Sequence, residues 1–282
     1  MLKIGYLGPA GTFTEKAMQV YTRTLSVPFE TQAGESFFEL FEGLKNNTLT
    51  HAVIAIENSI EGAVAPNLDM LVQNETLKIC ADLKLPISQA LITAEPLALD
   101  RITDIYSHPQ GFAQCQTFLL SQLPKVRVHP LASTAEGVAH LKPGSTHAVI
   151  GAAILAELYH LHCHTPNIQD SKTNTTRFVV IAHDFPPPSG QDKTSIVFST
   201  LKDKPGGLYE VLGAFAKRTI NLTRIESRPT KQGLGDYVFF IDLEGHAADA
   251  NVAEALDELQ HKTSFYRLLG SYPTLPLPKE PS

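Results

Sequence analysis

The chain has 282 residues, which is long enough for two or more folded domains. Hydrophobic residues make up 43% and charged residues 18% of it, a balance that is typical of globular proteins and excludes a disordered or coiled-coil chain. Acidic residues outnumber basic ones by 29 to 23 and no apolar run approaches a membrane span, so we expect neither a nucleic acid nor a membrane as a partner.

The first part of the chain repeats one plan, in which a short apolar strand leads through a polar turn into an amphipathic helix. This alternation predicts an α/β fold with a largely parallel sheet. A strand at 79–85 would cross to a second sheet, so we expect two lobes with a ligand cleft between them. The other strands are predicted at 2–7, 52–56, 102–106, 126–131, 148–150 and 176–182, and the helices at 12–21, 65–72, 112–120, after Ser133 and up to Leu158.

A proline-rich stretch predicts the domain boundary. Three consecutive prolines at 186–188 cannot lie inside a helix or a central strand. We therefore predict a linker at 184–193 between a first domain at 1–183 and a second domain at 194–272. The remaining residues, 273–282, are again rich in proline and are predicted to form a tail.

The second domain has a different pattern from the first. Strands are predicted at 194–201, 220–228, 237–243 and 265–269, with a shift of phase inside the second of them that predicts a bulge. Apolar residues at helical spacing mark one helix after the first strand and another after the third. The order βαββαβ predicts a ferredoxin-like domain.

The cysteines and the N-terminal residues indicate the cellular compartment of the protein. Cys80, Cys115 and Cys163 are too few and too scattered for a disulfide scaffold or a CxxC zinc site, so they indicate reduced thiols in a cytoplasmic protein. The turn at Gly8-Pro9 comes before any signal-peptide core can form, and no leader is expected.

Polar residues collect where the predicted strands of the first domain end. Ligands bind at the carboxyl ends of strands in open α/β sheets, and the helix N-termini that follow offer N–H groups and a positive dipole to an anion. We therefore expect a small-anion site at this edge. The candidates are Thr12, Thr14, Glu57, Asn58, Ser107, Gln114, Ser133 and Thr134, with Thr176 and Arg177 at the start of their own strand.

Several familiar motifs do not fit. The turn at 8–11 lacks the Lys-Ser/Thr ending of a nucleotide P-loop and is not GxGxxG, and it is equally compatible with a tight connection only. His160, His162 and His164 would share one face of a strand, which suits a metal ion. No acidic partner or CxxC lies near them and a solvated loop edge explains the run as well, so we assign no metal.

Six short segments of residues 1–183 occur together in a fixed order. They are GYLGPAGTFT at 5–14, ENSIEG at 57–62, SHPQ at 107–110, Gln114-Cys115, STA at 133–135 and TRFVV at 176–180. In this order the first domain resembles the prephenate dehydratase family, and although each segment is weak alone, six in order are highly specific. The resemblance implies a two-lobe, periplasmic-binding-protein-like catalytic domain.

The second domain is similar to the ACT regulatory domain of the same family. Pro205-Gly206-Gly207-Leu208 lies where the family usually has Pro-Gly-Ala-Leu, and residues 225–229 match its Glu-Ser-Arg-Pro element. The resemblance implies feedback inhibition by phenylalanine in a homodimer or homotetramer. No chorismate mutase domain precedes the match, so we expect the monofunctional form. The implied effector-binding residues are Gly206, Gly207, Leu208, Glu226, Ser227 and Arg228.

The implied reaction converts prephenate to phenylpyruvate with loss of CO2 and water. Aromatisation drives it, so it needs no metal, nicotinamide or flavin cofactor. The resemblance implies the catalytic residues Thr176, Glu57, Asn58 and Gln114, and the substrate-binding residues Arg177, Ser107, Thr12, Thr14, Ser133, Thr134 and Phe178.

The roles within this set differ by chemistry. Thr176 resembles the family's essential threonine and would donate a hydrogen bond to the departing hydroxyl. Glu57 would deliver a proton if burial raised its pKa, or alternatively would orient its neighbours. Arg177 is a fixed cation suited to a substrate carboxylate, with an internal ion pair as the alternative.

Two other functions are compatible with the residues. An arogenate dehydratase would perform the same chemistry on the aminated substrate, and the sequence does not distinguish the two. A non-catalytic sensor of small anions would signal through the ACT domain, but the intact segments at 57–59 and 176–178 argue against it.

Overall fold

The computed structural model describes residues 1–133, 135–201, 205–230 and 237–277. The chain starts in a first lobe, where apolar strands alternate with amphipathic helices. Thr12 opens the first helix as predicted, because its Oγ1 accepts a hydrogen bond from the Glu15 N–H at 3.3 Å. The elements are β1 (Leu2–Leu7), α1 (Phe13–Thr22), β2 (Phe29–Gly34), α2 (Phe37–Lys45), β3 (His51–Asn58), β4 (Gly62–Ala63), α3 (Ala65–Gln73) and β5 (Lys78–Pro86).

The chain then crosses to a second lobe and later returns. The first crossing follows β5, and the second brings the chain back through residues 166–174 into β11 (Thr175–Ala182) of the first lobe. The second lobe contains β6 (Gln89–Thr93), β7 (Asp104–Ser107), α4 (Pro109–Ala113), α5 (Gln116–Gln122), β8 (Arg127–Pro130), β9 (His147–Ala152), α6 (Ile154–Leu158) and β10 (His162–Thr165).

Each lobe has a mixed sheet. The first has the strand order β2-β1-β3-β11-β5 with β4 beside β3, and the second has the order β10-β6-β9-β7-β8. The sheets are less parallel than predicted, because β11 returns from the other lobe and runs antiparallel to both of its neighbours. The predicted two-lobe, periplasmic-binding-protein-like architecture is confirmed.

Two predicted helices have a different form. The helix predicted at 112–120 is broken into α4 and α5 around the fully buried Cys115. The segment that follows Ser133 is a 3-10 helix over Ala135–His140, although Ser133 accepts a capping hydrogen bond from the Glu136 N–H at 3.2 Å. A Cβ on Gly137 would lie 2.8 Å from the Val149 side chain, so this segment packs tightly against β9.

The C-terminal domain confirms the predicted βαββαβ order. It contains β12 (Asp192–Thr200), α7 (Gly207–Ala216), β13 (Leu222–Pro229), β14 (Tyr237–Glu244), α8 (Ala250–Gln260) and β15 (Thr263–Pro273), with the sheet order β13-β14-β12-β15. The predicted bulge is present as a register shift between Leu222 and Arg224. The first strand starts inside the predicted linker, where the Asp192 carboxylate accepts hydrogen bonds from the N–H groups of Ser189 and Gly190.

The two faces of the C-terminal sheet pack against different partners. One face packs against α7 and α8, with Phe198 and Phe215 in that core. The other face packs against the first lobe, where Tyr272 and Leu269 share one apolar cluster with Phe41 of α2. The C-terminal domain therefore completes a core that also belongs to the first lobe.

Strand β15 lies directly on β5 of the first lobe. Gly270 has a φ of +151°, and a Cβ on it would lie 2.1 Å from the Ile79 carbonyl oxygen. The Lys78 Nζ donates to the Leu268 carbonyl oxygen at 2.7 Å, and the Leu275 N–H donates to the Asp82 carbonyl oxygen at 2.7 Å. The start of the predicted tail is thus fastened to the first lobe, whereas residues 278–282 lie outside the described residues. Over the described ranges, no helix combines the length and apolarity that a membrane crossing requires.

Candidate active site

A cavity of about 1010 Å³ lies between the two lobes. The first lobe contributes the β1–α1 turn, the end of β3, the start of α3 and two residues of β11, while the second lobe contributes α4 and the start of β6. The predicted site residues that line it are Thr12, Thr14, Asn58, Gln114, Ser133, Thr176 and Phe178.

Asn58 and Thr176 form the best-defined polar contact in the cavity wall. The Asn58 Oδ1 accepts hydrogen bonds from the N–H groups of Ile60 at 2.9 Å and Glu61 at 3.1 Å, which sets the direction of its amide. The Asn58 Nδ2 then donates to the Thr176 Oγ1 at 2.9 Å and to the Asn174 Oδ1 at 2.8 Å. Because the Thr176 oxygen accepts this bond, its own hydroxyl proton stays available to a ligand in the cavity.

The start of α1 supplies donors on the first-lobe side. The Thr12 hydroxyl serves the backbone, since it donates to the Leu7 carbonyl oxygen at 3.0 Å and caps the helix. Thr14 lines the cavity in the first turn of this ten-residue helix. The N–H groups of Glu15 and Lys16 bond to Thr12, whereas the described residues offer no partner to those of Phe13 and Thr14, which carry the positive end of the helix dipole and suit an anion.

The second lobe faces the cavity with neutral polar side chains. The Gln89 Nε2 donates to the Gln114 Oε1 at 3.0 Å, which leaves the Gln114 amide protons free to bind a ligand oxygen. The His108 Nδ1 accepts from the Gln110 N–H at 3.1 Å, so this ring caps α4. These side chains can orient an oxygen-rich ligand, while the helix-capping ring supports the loop.

The cavity contains no fixed positive charge in the part of the chain that the structure describes. Its charged lining side chains are Glu35, Glu61 and Glu136, all exposed, and no described lysine or arginine belongs to the lining. An anion bound there must be held by N–H groups, hydroxyls and amides.

Three predicted site residues lie outside the cavity. Thr176 and Phe178 face it, so strand alternation turns Arg177 to the opposite face of the sheet. The same alternation turns Glu57 away from Asn58, and the Glu57 Oε2 lies 3.3 Å from the Arg224 Nε. The fully buried Ser107 hydroxyl donates to the Ile150 carbonyl oxygen at 2.7 Å. The roles predicted for these three side chains in the cavity are therefore corrected, and Thr134 lies outside the described residues.

Arg177 instead occupies a buried polar cluster between the first lobe and the C-terminal domain. Its Nε donates to the Asp82 Oδ2 at 2.9 Å, one terminal nitrogen donates to Asp242, and the other donates to the Tyr272 hydroxyl at 3.0 Å. Ser195 donates to Asp242 and bonds the Tyr272 hydroxyl. Burial alone would raise the pKa of Asp242, but Arg177 and Arg224 hold it below its usual range.

The predicted effector residues lie at one end of the C-terminal sheet. Gly206 caps α7 with a φ of +83°, and the predicted Leu208 follows in the same helix. A Cβ on Gly207 would meet the Thr200 side chain at an ordinary 3.5 Å, so the alanine that is usual at this position would fit. Glu226, Ser227 and Arg228 lie on β13, which pairs at its end with the start of β14.

Arg228 has a partner in the first lobe. Its Nε lies 3.0 Å from the Asp69 Oδ1 on α3. The predicted effector strand is therefore joined directly to the first lobe.

Sequence reasoning missed two residues of the site. Gln89 orients Gln114, and Asn174 shares the Asn58 amide with Thr176. Neither belongs to one of the recognised segments. Both lie where the chain crosses between the lobes, and the prediction of crossing strands was the one signal that pointed there.

The histidine run does not gather ligands for a metal. His162 and His164 lie on β10 with ring centroids 6.1 Å apart, and the His164 Nε2 bonds the Leu97 carbonyl oxygen at 2.9 Å. Over the described ranges, no group of three or more histidine, cysteine, aspartate or glutamate side chains is arranged to hold a metal ion.

The fold and the cavity define a two-lobe α/β ligand-binding protein with a C-terminal ferredoxin-like domain. The prephenate dehydratase family model matches residues 4–186, and the ACT domain model matches residues 194–261. The chain belongs to the prephenate dehydratase family and carries an ACT domain, which confirms the resemblance.

Individual relatives cover nearly the whole chain. A bifunctional chorismate mutase/prephenate dehydratase of Aquifex aeolicus is 39% identical over 96% of this chain and 74% of its own length. A prephenate dehydratase of Methanocaldococcus jannaschii is 38% identical over 95% of this chain and 97% of its own length. The crystal structure of a prephenate dehydratase from Arthrobacter aurescens in complex with L-Phe has a TM-score of 0.85 at 34% identity, covering 97% of this chain and 90% of that one.

Proposed function

We propose that this chain catalyses the conversion of prephenate to phenylpyruvate, CO2 and water in phenylalanine biosynthesis. The observation that carries this proposal is the Asn58–Thr176 pair, which directs a hydroxyl with a free proton into a cavity between two lobes. Membership of the prephenate dehydratase family supports it.

The reaction needs help mainly at its leaving group. The bond between the ring and its carboxylate breaks, CO2 departs, and the electron pair of that bond enters the ring. The ring hydroxyl on the opposite carbon leaves as its C–O bond breaks, and it becomes water by taking one proton that is supplied in the end by the solvent. We assign Thr176 to donate a hydrogen bond to this departing oxygen, since a threonine hydroxyl is a weak acid that stabilises a developing charge better than it delivers a proton.

The substrate is a dianion, and the described cavity wall offers no cation to it. We assign its carboxylates to N–H groups and hydroxyls, with the first turn of α1, including Thr14, on one side and Ser133 with Gln114 on the other. Phe178 would contact the apolar ring. Holding the substrate between two lobes also excludes water from the reacting carbon atoms.

We further propose phenylalanine as the effector of the ACT domain, at Gly206–Leu208 of α7 and Glu226–Arg228 of β13. The relative from Arthrobacter aurescens, which was crystallised with L-Phe, supports this choice of ligand. The edge strand β13 leaves backbone groups available for pairing, which supports a homodimer or homotetramer. We retain a catalytic domain at 1–183, a linker at 184–193 and a cytoplasmic location as proposals.

The test is a direct assay of the purified full chain. We expect phenylpyruvate from prephenate and less of it when phenylalanine is added, with saturable phenylalanine binding in calorimetry. Arogenate is assayed in parallel, since preferential turnover of arogenate would reassign the substrate. Turnover of neither compound would overturn the proposed function and favour an anion sensor.

A further inference from the structure

Five buried polar side chains form an interdomain cluster on the side of the first-lobe sheet that faces the ACT domain. They are Asp82 of β5, Arg177 of β11, Ser195 of β12, Asp242 of β14 and Tyr272 of β15, and each is less than a tenth exposed. Two of them belong to the first lobe and three to the ACT domain. A charged group so deeply buried is costly unless every partner stays in place, so the cluster tolerates little displacement of one domain against the other.

Arg177 connects this cluster to the cavity through the backbone. It follows Thr176 on β11, and the two side chains leave the strand on opposite faces. The pairing register between β11 and β3 shifts directly after Arg177, where β3 carries the extra residue Ile56, so the ladder that holds β11 is locally disrupted beside Arg177. The partners of the guanidinium therefore restrain the peptide that carries the Thr176 hydroxyl.

We propose that Arg177 is a positioning residue, through which Asp242 and Tyr272 of the ACT domain hold Thr176 in its orientation toward the cavity. This inference rests on the proposed function, because it assigns an indirect part in the same reaction. The planar guanidinium donates to Asp82, Asp242 and Tyr272 together, so it fixes one rotation of the side chain as well as one position. A shift of the ACT domain would thus displace Arg177, and the hydroxyl of the adjacent Thr176 in the cavity wall would move with it.

The test compares two cluster variants with an interdomain control. Asp242→Asn removes a charge from the cluster, and Tyr272→Phe removes one hydroxyl without changing volume. We expect kcat to fall by about threefold to tenfold with KM changed less than about twofold, as loss of one or two restraining hydrogen bonds implies. The control is Glu75→Gln, which weakens the exposed interdomain pair between Arg267 and Glu75 (3.0 Å), and should leave kcat unchanged.

A double-mutant cycle separates positioning from general stability. If Arg177 acts through the Thr176 hydroxyl, Asp242→Asn should change kcat by less than about twofold in a Thr176→Ala background. A loss that persists undiminished in that background would overturn the inference, as would unchanged kcat in both cluster variants. The residual turnover of Thr176→Ala is followed in single-turnover experiments.

Hydrogen exchange gives a readout that does not depend on turnover. We expect faster exchange of backbone amides in β11 for Asp242→Asn than for Glu75→Gln, and equal exchange would contradict the inference. If the wild-type chain converts no prephenate, the proposed function fails, whereas this comparison still decides whether the cluster restrains the strand.

Discussion

The direction of the Thr176 hydroxyl depends on Asn58, whose amide oxygen is held by two backbone N–H groups. Reversing the Asn58 amide would place its oxygen beside the Thr176 oxygen and its nitrogen beside two N–H donors. The contact of the nitrogen with the two N–H donors would be repulsive, and so would that of the oxygen with the Asn174 Oδ1, so one orientation is strongly favoured. The pair is thus organised before any ligand binds, which lowers the cost of ordering it in the transition state.

The Thr176→Ala variant should lower kcat by about 10²-fold while KM changes little, because the hydroxyl acts on an oxygen whose charge develops only during the reaction. Thr176→Ser keeps the hydroxyl and should retain most of the activity. Steady-state kinetics with prephenate measure both variants. Full turnover in Thr176→Ala would remove the role assigned to the hydroxyl.

An Asn58→Asp variant gives a companion measurement at nearly constant volume. The carboxylate would still accept the N–H groups of Ile60 and Glu61, but it would also accept the Thr176 proton that the wild type leaves free. We therefore expect a loss of kcat close to that of Thr176→Ala. Circular dichroism checks that the fold is retained.

Seven of the predicted site residues line the cavity, but the sequence did not give the direction in which each side chain points. Thr176, Arg177 and Phe178 stand together in one segment, and the resemblance assigned all three to the substrate. The period of a β-strand already separates the middle residue from the other two, and it separates Glu57 from Asn58 in the same way. The partner of Arg177 on the opposite face is Asp242 of the ACT domain. These two residues lie 65 positions apart, so the local sequence pattern does not reveal their contact.

At the scale of single elements, helix α3 touches both the cavity and the ACT domain. Its first residues, Ala65 and Pro66, line the cavity. Its end is held by the ACT domain, because Arg267 donates to the Leu71 carbonyl oxygen at 3.3 Å and Arg228 binds Asp69. Cations near a helix C-terminus are favourable for its dipole, so this attachment also stabilises the helix.

The junction of β15 with β5 should be sensitive to one added methyl group. In Gly270→Ala the new Cβ would meet backbone atoms of Ile79 that cannot move aside, at a φ that disfavours L-residues. We expect a loss of about 2–4 kcal/mol in the free energy of unfolding, measured by urea denaturation. A loss below about 1 kcal/mol would show that the two strands can separate at little cost.

Gly213→Ala serves as the matched control. Gly213 lies inside α7, and apart from the backbone of its own helix no described atom lies within 4 Å of an added Cβ. Alanine is the better helix former, so this variant should gain about 0.5–1 kcal/mol in the same experiment.

Repeating apolar residues predicted most strands of the buried sheet, but two elements of the first lobe were missed. The pattern predicted β1, β3, β5 and β11 of the buried sheet, but β2 and α2 were not predicted. Five of the six β2 residues are exposed, because the strand lies at the sheet edge and its sequence is largely polar. Helix α2 was missed although Leu40, Phe41 and Leu44 repeat at helical spacing and Ser36 caps the helix, so this local pattern was overlooked.

At the scale of the whole molecule, two buried carboxyl groups make the free energy of unfolding depend on pH. Arg127 and His129 lower the pKa of Asp104 through hydrogen bonds of 2.7 Å, and Arg177 and Arg224 outweigh burial at Asp242. Both folded-state pKa values lie below the unfolded ones, so this stabilisation is complete above the unfolded values of about 4 and is lost as pH falls through the folded values.

Urea denaturation between pH 7 and pH 3 should show this dependence. We expect the free energy of unfolding to fall on the acid side of about pH 4, with a shallower fall in Asp104→Asn. If the free energy of unfolding fell toward acid pH with the same slope in the wild type and in Asp104→Asn, the assignment to Asp104 would be contradicted. Thr103→Val, which removes one donor to that carboxylate, should give an intermediate slope.

Because Tyr272 and Leu269 complete the apolar cluster of α2 and β5, the two segments of the polypeptide are not independent modules. Severing the chain between Phe185 and Gln191 and removing the C-terminal fragment would expose an apolar surface on each fragment. It would also leave Arg177 without Asp242 and Tyr272, and Asp242 without Arg177. Deletion of the C-terminal domain is therefore not expected to give a folded enzyme without feedback control. Variants that lack feedback control must be sought through substitutions that leave the contact between the two domains intact.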